Sequence, residues 1–166
     1  MTEEQSRQTL VRPGEGATVV GLTMLHKVEA GLLEGGLQVM EGLIAPQRII
    51  PPHTHSREDE CSYILAGELM FLVGDETLTA STGSYVIKPR GVPHAFWNIS
   101  PEPARVMEIH VPGTFHRFYD ELGATMDPDL PQPERQAAQA ALHARYGLTF
   151  HWDQMQQLVA TYGVKP

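Results

Sequence analysis

The length of 166 residues and the hydrophobic fraction of 42% fit one domain with a sizeable core and a short extension. Twenty acidic residues against twelve Lys and Arg give a formal charge of −8, and no basic patch is visible, which argues against nucleic-acid binding. The single cysteine excludes an intrachain disulfide, and the chain shows neither a signal-peptide pattern nor an apolar run long enough for a membrane span. We therefore expect a cytoplasmic protein without a membrane or nucleic-acid partner.

The first two thirds of the chain divide into a polar arm and a β-rich region. Residues 1–16 are mostly polar and predict an N-terminal arm. Residues 17–112 contain short β-forming segments separated by Gly and Pro, a pattern typical of a β-sandwich or barrel. Within this region, Gly74-Asp75 predicts a hairpin turn. The strand candidates are, in chain order, ATVVGLTML, LQVMEGLIA, SYILAGELMFLVG, ETLTA, SYVIKP, HAFWNI and ARVMEIHV.

Residues 113–166 have the composition of a helical extension. The segment GTFHRFYDELG predicts a helix with Thr114 as its N-cap, and Phe115, Phe118 and Leu122 would share one face of that helix. The segment PERQAAQAALHARYG predicts a helix that stops at its final glycine, and HWDQMQQLVATYG predicts another. We expect this extension to pack on the β domain or on a partner subunit.

A histidine pair stands behind two prolines in the stretch PPHTHSREDE. Residues i and i+2 of a strand share a face, so His53 and His55 would point the same way, and the prolines favour the extended backbone that this requires. Glu60 follows a bend and could return to the same face from the next segment. Two imidazoles and a carboxylate suit Fe, Mn, Co, Ni or Zn, although the pair alone is a weak signal for a metal site.

A second cluster lies in the segment GSYVIKPRGVPHAFWN, at residues 83–98. Its proline and second glycine predict a turn that delivers His94 onto a strand. On that strand, His94, Phe96 and Asn98 would share one face. The two clusters together strengthen the case for a site beyond what the histidine pair alone supports.

The two clusters resemble the sequence motifs of the cupin family. The first cupin motif reads G-x5-H-x-H-x3,4-E-x6-G, and this chain carries His53, His55, Glu60 and Gly67 at those spacings. The second motif reads G-x5-P-x-G-x2-H-x3-N, and the chain matches it in full with Gly83, Pro89, Gly91, His94 and Asn98. Nine of the ten motif positions agree. The departure is Gln47 in place of the first glycine, a position that carries no metal.

The resemblance implies a fold and an assembly. It implies a mainly β fold, the cupin double-stranded β-helix or jelly-roll barrel, over residues 17–112, with C-terminal α-helices over residues 113–166. The compact spacing of the two motifs is similar to that of small single-domain cupins of the quercetin-dioxygenase kind. Because cupin barrels commonly pair through their sheets, we expect a homo-oligomer, with a dimer favoured.

The resemblance also implies a metal cofactor and its ligands. One divalent transition metal per chain would be held inside the barrel by four residues, namely His53, His55, Glu60 and His94. Three imidazoles and one carboxylate leave coordination positions open, which is typical of a catalytic rather than a structural site. By resemblance to the flavonol dioxygenases of the family, Glu60 is also the candidate catalytic base.

These residues favour one function and leave two others open. We expect a metal-dependent dioxygenase or oxygenase that acts on a small, largely apolar, oxygen-bearing substrate such as a flavonol or a diketone. The chain could instead be a non-oxidative metallocupin (an isomerase, cyclase or lyase), or a cupin that only binds a small ligand. In every case, we expect metal loss as the pH falls below about 6, because histidines bind metal in their neutral form.

Alternation along two strands leaves orientations open. On ELMFLVG, either Met70 and Leu72 or the set Leu69, Phe71 and Val73 faces into the barrel.

On ARVMEIHV, the favoured arrangement puts Met107, Ile109 and Val111 inside. In the reverse arrangement, Glu108 and His110 would face inward and assist the metal site. Residues 88–90 predict a solvated turn. The histidines expected on the surface or in helices are His26, His116, His143 and His151.

Overall fold

The computed structural model of the protein describes residues 9–166, and these form eleven β-strands and three α-helices. Residues 1–8, the first half of the predicted N-terminal arm, lie outside the described residues. The first six strands are β1 (Ala17–Thr18), β2 (Met24–Val28), β3 (Gln38–Ile44), β4 (Ile49–His55), β5 (Asp59–Ala66) and β6 (Glu68–Val73). The remaining elements are β7 (Glu76–Ser81), β8 (Tyr85–Lys88), β9 (His94–Trp97), β10 (Ala104–Val111), α1 (His116–Thr125), α2 (Gln132–Tyr146), β11 (Leu148–Phe150) and α3 (Trp152–Tyr162).

The strands form two antiparallel sheets that share one hydrophobic core. One sheet has the strand order β1-β2-β3-β10-β5-β8, and the other has the order β11-β4-β9-β6-β7. The core contains Ile64 from the first sheet and Phe71 and Phe96 from the second, so the sheets face each other across it. This arrangement confirms the predicted mainly β jelly-roll barrel with C-terminal α-helices.

The core also decides which face of β6 points inward. Leu69 and Phe71 are buried in the barrel core, and the Phe71 ring stacks on Phe96 with 5.4 Å between centroids. Met70 and Leu72 lie on the opposite face, where they pack against the cluster formed with α3. The second of the two arrangements left open for this strand is therefore the correct one.

Three backbone features of the motifs can be compared with their predictions. Pro51 and Pro52 lie within β4, so this stretch is extended as predicted. Gly74 has a φ of 61° in the two-residue turn between β6 and β7, which confirms the predicted hairpin. Gln47 has a φ of 60°, in the left-handed region that glycine favours. The first motif glycine thus corresponds to a real conformational requirement, which this chain meets with glutamine.

The C-terminal extension joins the barrel through β11, a strand that was not predicted. It pairs antiparallel with β4, so that Leu148 lies opposite His55 and Phe150 lies opposite His53. A strand of three residues directly after the glycine that ends a helix shows too little alternation to be recognised in a sequence. The extension therefore adds a strand beside the one that carries the histidine pair.

The three helices follow the predicted order, with one correction at the start of α1. The predicted N-cap at Thr114 is wrong, because Gly113–Phe115 form a 3-10 turn that leads directly into the helix. α2 ends at Gly147 in the left-handed conformation, as predicted. α3 packs on the outer face of β9, where Trp97 lies 5.0 Å from the Tyr162 ring. Between residues 9 and 166, none of the helices is long and apolar enough to cross a membrane.

Candidate metal centre

The four residues predicted as ligands come together inside the barrel. His53 and His55 lie on β4, Glu60 on β5 and His94 on β9. One nitrogen or oxygen atom from each residue lies within 4.8 Å of the others, and all four side chains are buried. His53 and His94 are direct partners in the β4–β9 pairing, which places a histidine of each motif side by side. The barrel thus brings both motifs to one point.

Backbone carbonyls set the tautomers of two of these histidines. Nδ1 of His53 lies 2.7 Å from the carbonyl oxygen of Pro51, and Nδ1 of His94 lies 3.0 Å from that of Val92. Because a carbonyl oxygen only accepts hydrogen bonds, Nδ1 of each ring donates and carries the proton. Nε2 of each ring therefore keeps a free lone pair, as a metal-binding imidazole requires.

A buried carboxylate that sequence reasoning missed stands behind the third histidine. Oε2 of Glu58 lies 3.5 Å from Nδ1 of His55, and both side chains are almost fully buried. The two atoms do not form a well-formed hydrogen bond. A carboxylate hydrogen-bonded to a metal-binding histidine orients its ring, so Glu58 is the carboxylate nearest to that role for His55.

The donor atoms themselves test whether the group fits a cation. Nε2 of His94 is buried without a well-formed hydrogen bond within residues 9–166, and it lies 2.6 Å from Oε2 of Glu60. Buried polar atoms are normally hydrogen-bonded, so an unpartnered lone pair that faces a carboxylate fits a cation shared by the two side chains. Three imidazoles and one carboxylate form the donor set of Fe, Mn, Co, Ni and Zn sites. The buried group is therefore consistent with a site for one such ion.

The prediction of a solvated turn is wrong for Lys88, whose side chain is only 1% exposed. Its Nζ donates a hydrogen bond of 2.6 Å to Oε2 of Glu108 and forms an ion pair of 3.1 Å with Oε2 of Glu60. Ser62 donates a hydrogen bond of 2.7 Å to the other oxygen of Glu108. A buried ammonium is costly unless it is paired, and here two carboxylates pair it.

The favoured arrangement of β10 is wrong as well, because Glu108 and His110 face into the barrel. They are 2% and 1% exposed, whereas Met107 and Ile109 are half-buried on the outer face. His110 is the direct partner of Glu60 in the β10–β5 pairing, and its Nε2 contacts the Oε1 atom of Glu60. Inside the barrel, charged and polar side chains of neighbouring strands pair with one another, which offsets the cost of burying them. The rule that apolar side chains face inward therefore fails on this strand.

This environment gives the ligand side chains the charge states that a cation needs. Burial favours the neutral form of Glu60, but Lys88 and His110 outweigh it and hold the pKa of Glu60 well below its ordinary value. Burial and the neighbouring His94 lower the pKa of His53 well below its ordinary value. An ionised carboxylate and a neutral imidazole are the forms that bind metals.

A cavity of about 310 Å³ borders the four-residue group. His53 and His55 form part of its wall, next to Ile50 and Pro51 of β4. Most of the remaining wall comes from the C-terminal extension. The residues that the extension contributes to the cavity wall are Phe115, Phe118, Tyr119, Leu122, Met126, Gln139, His143, Leu148, Phe150 and Trp152. The cavity is therefore largely apolar and aromatic, and it reaches two of the predicted ligands.

The other histidines differ in position. His26 is buried on β2, where Nε2 of Gln38 donates a hydrogen bond of 3.2 Å to its Nδ1, so its assignment to the surface or a helix is wrong. His116 and His143 lie on α1 and α2 as predicted, and His143 also lines the cavity. His151 directly precedes α3 and hydrogen-bonds a threonine of β4.

Comparison with known proteins relates the barrel to one family of domains. The family model of the cupin domain matches residues 40–110, a segment that contains both histidine clusters. This segment is therefore similar to a cupin domain, and the chain has the double-stranded β-helix fold with a buried His/His/Glu/His group that resembles a metal site.

Two curated relatives are germin-like proteins of Arabidopsis thaliana. Germin-like protein subfamily T member 2 is 32% identical over 82 residues, which cover 46% of this chain and 37% of the relative. Germin-like protein subfamily 2 member 2 is 37% identical over 99 residues, which cover 53% of this chain and 43% of the relative. The matched region thus spans less than half the length of either relative.

A solved structure supports the same fold. KdgF from Halomonas sp. aligns with a TM-score of 0.53 and 16% sequence identity, over 61% of this chain and 90% of that protein. At this level of identity, the similarity shows the barrel architecture alone.

Proposed function

We propose that this protein is a metal-dependent cupin enzyme of the quercetin-dioxygenase kind. Its reaction is a dioxygenase or oxygenase reaction on a small, largely apolar, oxygen-bearing molecule, such as a flavonol or a diketone. One observation carries the proposal: the buried group of His53, His55, Glu60 and His94 borders a mainly apolar cavity of about 310 Å³. Cavities of this size and lining suit small apolar ligands that make few polar contacts.

In this proposal, the three histidines would hold the metal through ring nitrogens and Glu60 through a carboxylate oxygen. A transition metal ion bound there supplies Lewis-acid and redox chemistry to a substrate oxygen. The protein supplies orientation, because the carbonyls of Pro51 and Val92 fix two of the rings.

The side chains around the site have separate roles in handling substrate and protons. Glu60 is ionised and can accept a proton from a substrate hydroxyl, while Lys88 and His110 hold its two oxygens. Burial, with Glu60 and Glu108 nearby, raises the pKa of Tyr119 far above its ordinary value, so its phenol stays protonated as a hydrogen-bond donor at the cavity wall. The aromatic wall excludes water from a bound substrate.

A second candidate function is a non-oxidative metallocupin reaction, such as an isomerisation, cyclisation or elimination. The observation that favours it is the buried chain of titratable groups formed by Lys88, Glu60 and Glu108. Proton transfer to and from Glu60 needs no molecular oxygen (O2). The same site could therefore serve an acid–base reaction with the metal as Lewis acid.

Oxygen uptake by the full-length protein distinguishes these functions. The protein is loaded separately with Fe, Mn, Co, Ni or Zn, and each form is incubated with flavonols and β-diketones under air and under nitrogen. We expect oxygen consumption matched to substrate loss with a redox metal, and none with zinc or with the His53→Ala/His94→Ala variant. Product formed under nitrogen would support the second candidate instead. Binding without product under every condition would contradict both enzymatic functions and indicate a ligand-binding cupin.

A further inference from the structure

The cavity wall is built largely by chain outside the matched cupin domain. The match ends at residue 110, and the wall contains residues of four elements that follow it: α1, α2, β11 and α3. β11 lies beside β4 and so continues the strand layer that carries His53 and His55. The shape and polarity of this cavity are therefore properties of this chain's own extension, and what it binds has to be worked out from those wall residues.

The described part of the wall carries no Lys, Arg, Asp or Glu side chain. A charged ligand group buried against such a wall would lose its hydration without gaining a partner, which is costly. Apart from any group that contacts the metal, the wall therefore selects an uncharged ligand. Phosphate and sulfonate groups have nothing here to bind them.

Ring contacts give the wall its preference for flat molecules. The Phe150 ring lies 5.9 Å from the His53 ring and 5.0 Å from the His143 ring, and it stacks on Trp152 at 5.2 Å. Phe118 lies 5.9 Å from His143 on another side. A ligand that reaches from His53 to His143 thus passes along aromatic side chains, and such a wall favours a planar ring system.

Two polar side chains interrupt this aromatic wall at one place. Gln139 and His143 are four residues apart on α2, so they lie next to each other on one face of the helix. Both line the cavity, and both are half-buried. Burial lowers the pKa of His143, which favours the neutral form of its imidazole. The pair can donate and accept hydrogen bonds without contributing charge.

We propose that the cavity binds an uncharged, planar aromatic molecule with two hydrogen-bonding groups, one beside His53 and His55 and the other at Gln139 and His143. This inference rests on the proposed function in one respect: it takes the cavity as the place where the substrate binds. Gln139 and His143 then determine specificity, because they recognise the group that is remote from the metal site.

Calorimetric titration of the full-length protein as purified, with its metal content measured in the same sample, tests the proposal. The probes are 2-naphthol, naphthalene-2,6-diol and naphthalene-2,6-disulfonate. We expect the diol to bind at least fivefold more tightly than 2-naphthol, since it can reach both polar positions. The disulfonate should bind at least tenfold more weakly than 2-naphthol, because only one of its two charged groups can contact the metal. A disulfonate that binds as tightly as 2-naphthol would overturn the proposal.

Variants locate the second polar position. Gln139→Met keeps the size of the side chain and should reduce diol affinity about fivefold, to that of 2-naphthol, without changing 2-naphthol affinity. Gln156→Met is the matched control, because Gln156 is exposed on α3 outside the cavity. An unchanged diol affinity in Gln139→Met would contradict the assignment.

A blocking variant separates this proposal from the oxygenase proposal. Leu122→Trp should fill the cavity and abolish binding of both naphthalene alcohols, while circular dichroism and metal content stay unchanged. If the blocked variant still binds them with wild-type affinity, the ligands bind elsewhere and the proposal fails. If the binding results are as expected but no loaded form consumes oxygen, the binding proposal stands and the oxygenase proposal fails.

Discussion

Nζ of Lys88 lies 3.1 Å from Oε2 of Glu60, so a buried ammonium stands directly beside a carboxylate proposed as a metal ligand. The same ammonium is 2.6 Å from Glu108, whose second oxygen accepts a hydrogen bond from Ser62. Without a cation, Lys88 is the positive charge closest to both carboxylates. With a divalent cation bound, the negative charge of Glu60 would be balanced by both the cation and Lys88. The charge of Glu108 would be balanced by Lys88 alone.

This arrangement predicts that Lys88→Met affects metal-free protein more than metal-loaded protein. Removing one partner of a buried ionic cluster costs about 3–5 kcal/mol of unfolding free energy, because the remaining charges stay buried. The loss should be smaller in the loaded protein, since the cation still compensates Glu60. Urea denaturation with and without chelator measures both values.

Two further variants test whether charge compensation explains the effect. Lys88→Met/Glu108→Leu removes a carboxylate together with its cation and should recover most of the lost stability. Arg90→Ala removes an exposed charge from its ion pair with Asp59 and should change stability little. Equal losses for Lys88→Met with and without metal would show that Lys88 does not share Glu60 with the ion.

The last residue of the second motif is expected to be structural. Nδ2 of Asn98 donates hydrogen bonds of 2.8 Å to the carbonyls of Ile44 and Glu102, and Oδ1 accepts one from the backbone amide of Ser100. Asn98→Ala would leave these buried groups unpaired and should cost about 3 kcal/mol or more in urea denaturation. Metal content per folded chain should stay at the wild-type value. Loss of metal from a variant that remains folded would contradict this role.

A substitution series at Gln47 tests the backbone requirement of the first motif. Gln47 is an exposed residue with positive φ. Gln47→Gly removes a left-handed strain of about 1–2 kcal/mol but adds about 0.4–1 kcal/mol of unfolded-state entropy, so a small net gain is expected. Gln47→Val should lose about 1 kcal/mol or more, because a β-branched residue tolerates this conformation poorly. Equal melting temperatures for the glycine and valine variants would contradict this explanation.

His26 should make stability depend on pH. Burial lowers its pKa below the ordinary value of 6.5, despite Glu29 and Asp120 nearby, while His116 and His110 lower it further. The unfolded chain therefore binds the proton more readily, and stability that is complete above pH 6.5 is lost as the pH falls below it.

The variant His26→Asn removes this titration and keeps an acceptor for Gln38. Its unfolding free energy should fall less steeply with pH below 6.5, by at most about 1.4 kcal/mol per pH unit. Urea denaturation at several pH values in the presence of chelator measures the slope. Parallel curves for the wild type and the variant would contradict a buried neutral His26.

The sequence could locate the four candidate ligands because the cupin motifs fix their spacing, and the barrel then brings them together. The sequence could not decide whether Glu108 and His110 point into the barrel. The alternation of side chains along β10 separates its residues into two faces but does not show which face is the inner one. The position of Lys88 on β8 did carry a signal. Lys88 lies two residues after Val86 and so shares its face of the strand, which is buried, while Tyr85 and Ile87 on the other face are exposed. A charged residue at an inward position is discounted unless its partners are known, and those partners come from distant strands.

The cavity was the least predictable part of the site. β11 and the two polar residues of α2 come to line the cavity only through tertiary packing, so no local pattern marks Gln139 or His143 as wall residues. The expected homodimer remains a prediction.

The most direct test of the account is the metal content of the purified protein. Elemental analysis should find close to one Fe, Mn, Co, Ni or Zn per wild-type chain after purification without chelator, or after reconstitution. The His53→Ala/His94→Ala variant, shown by circular dichroism to be folded, should retain less than a tenth of that amount. Equal metal content in the two proteins, or no metal in the wild type even after reconstitution, would contradict a metal centre built by these residues.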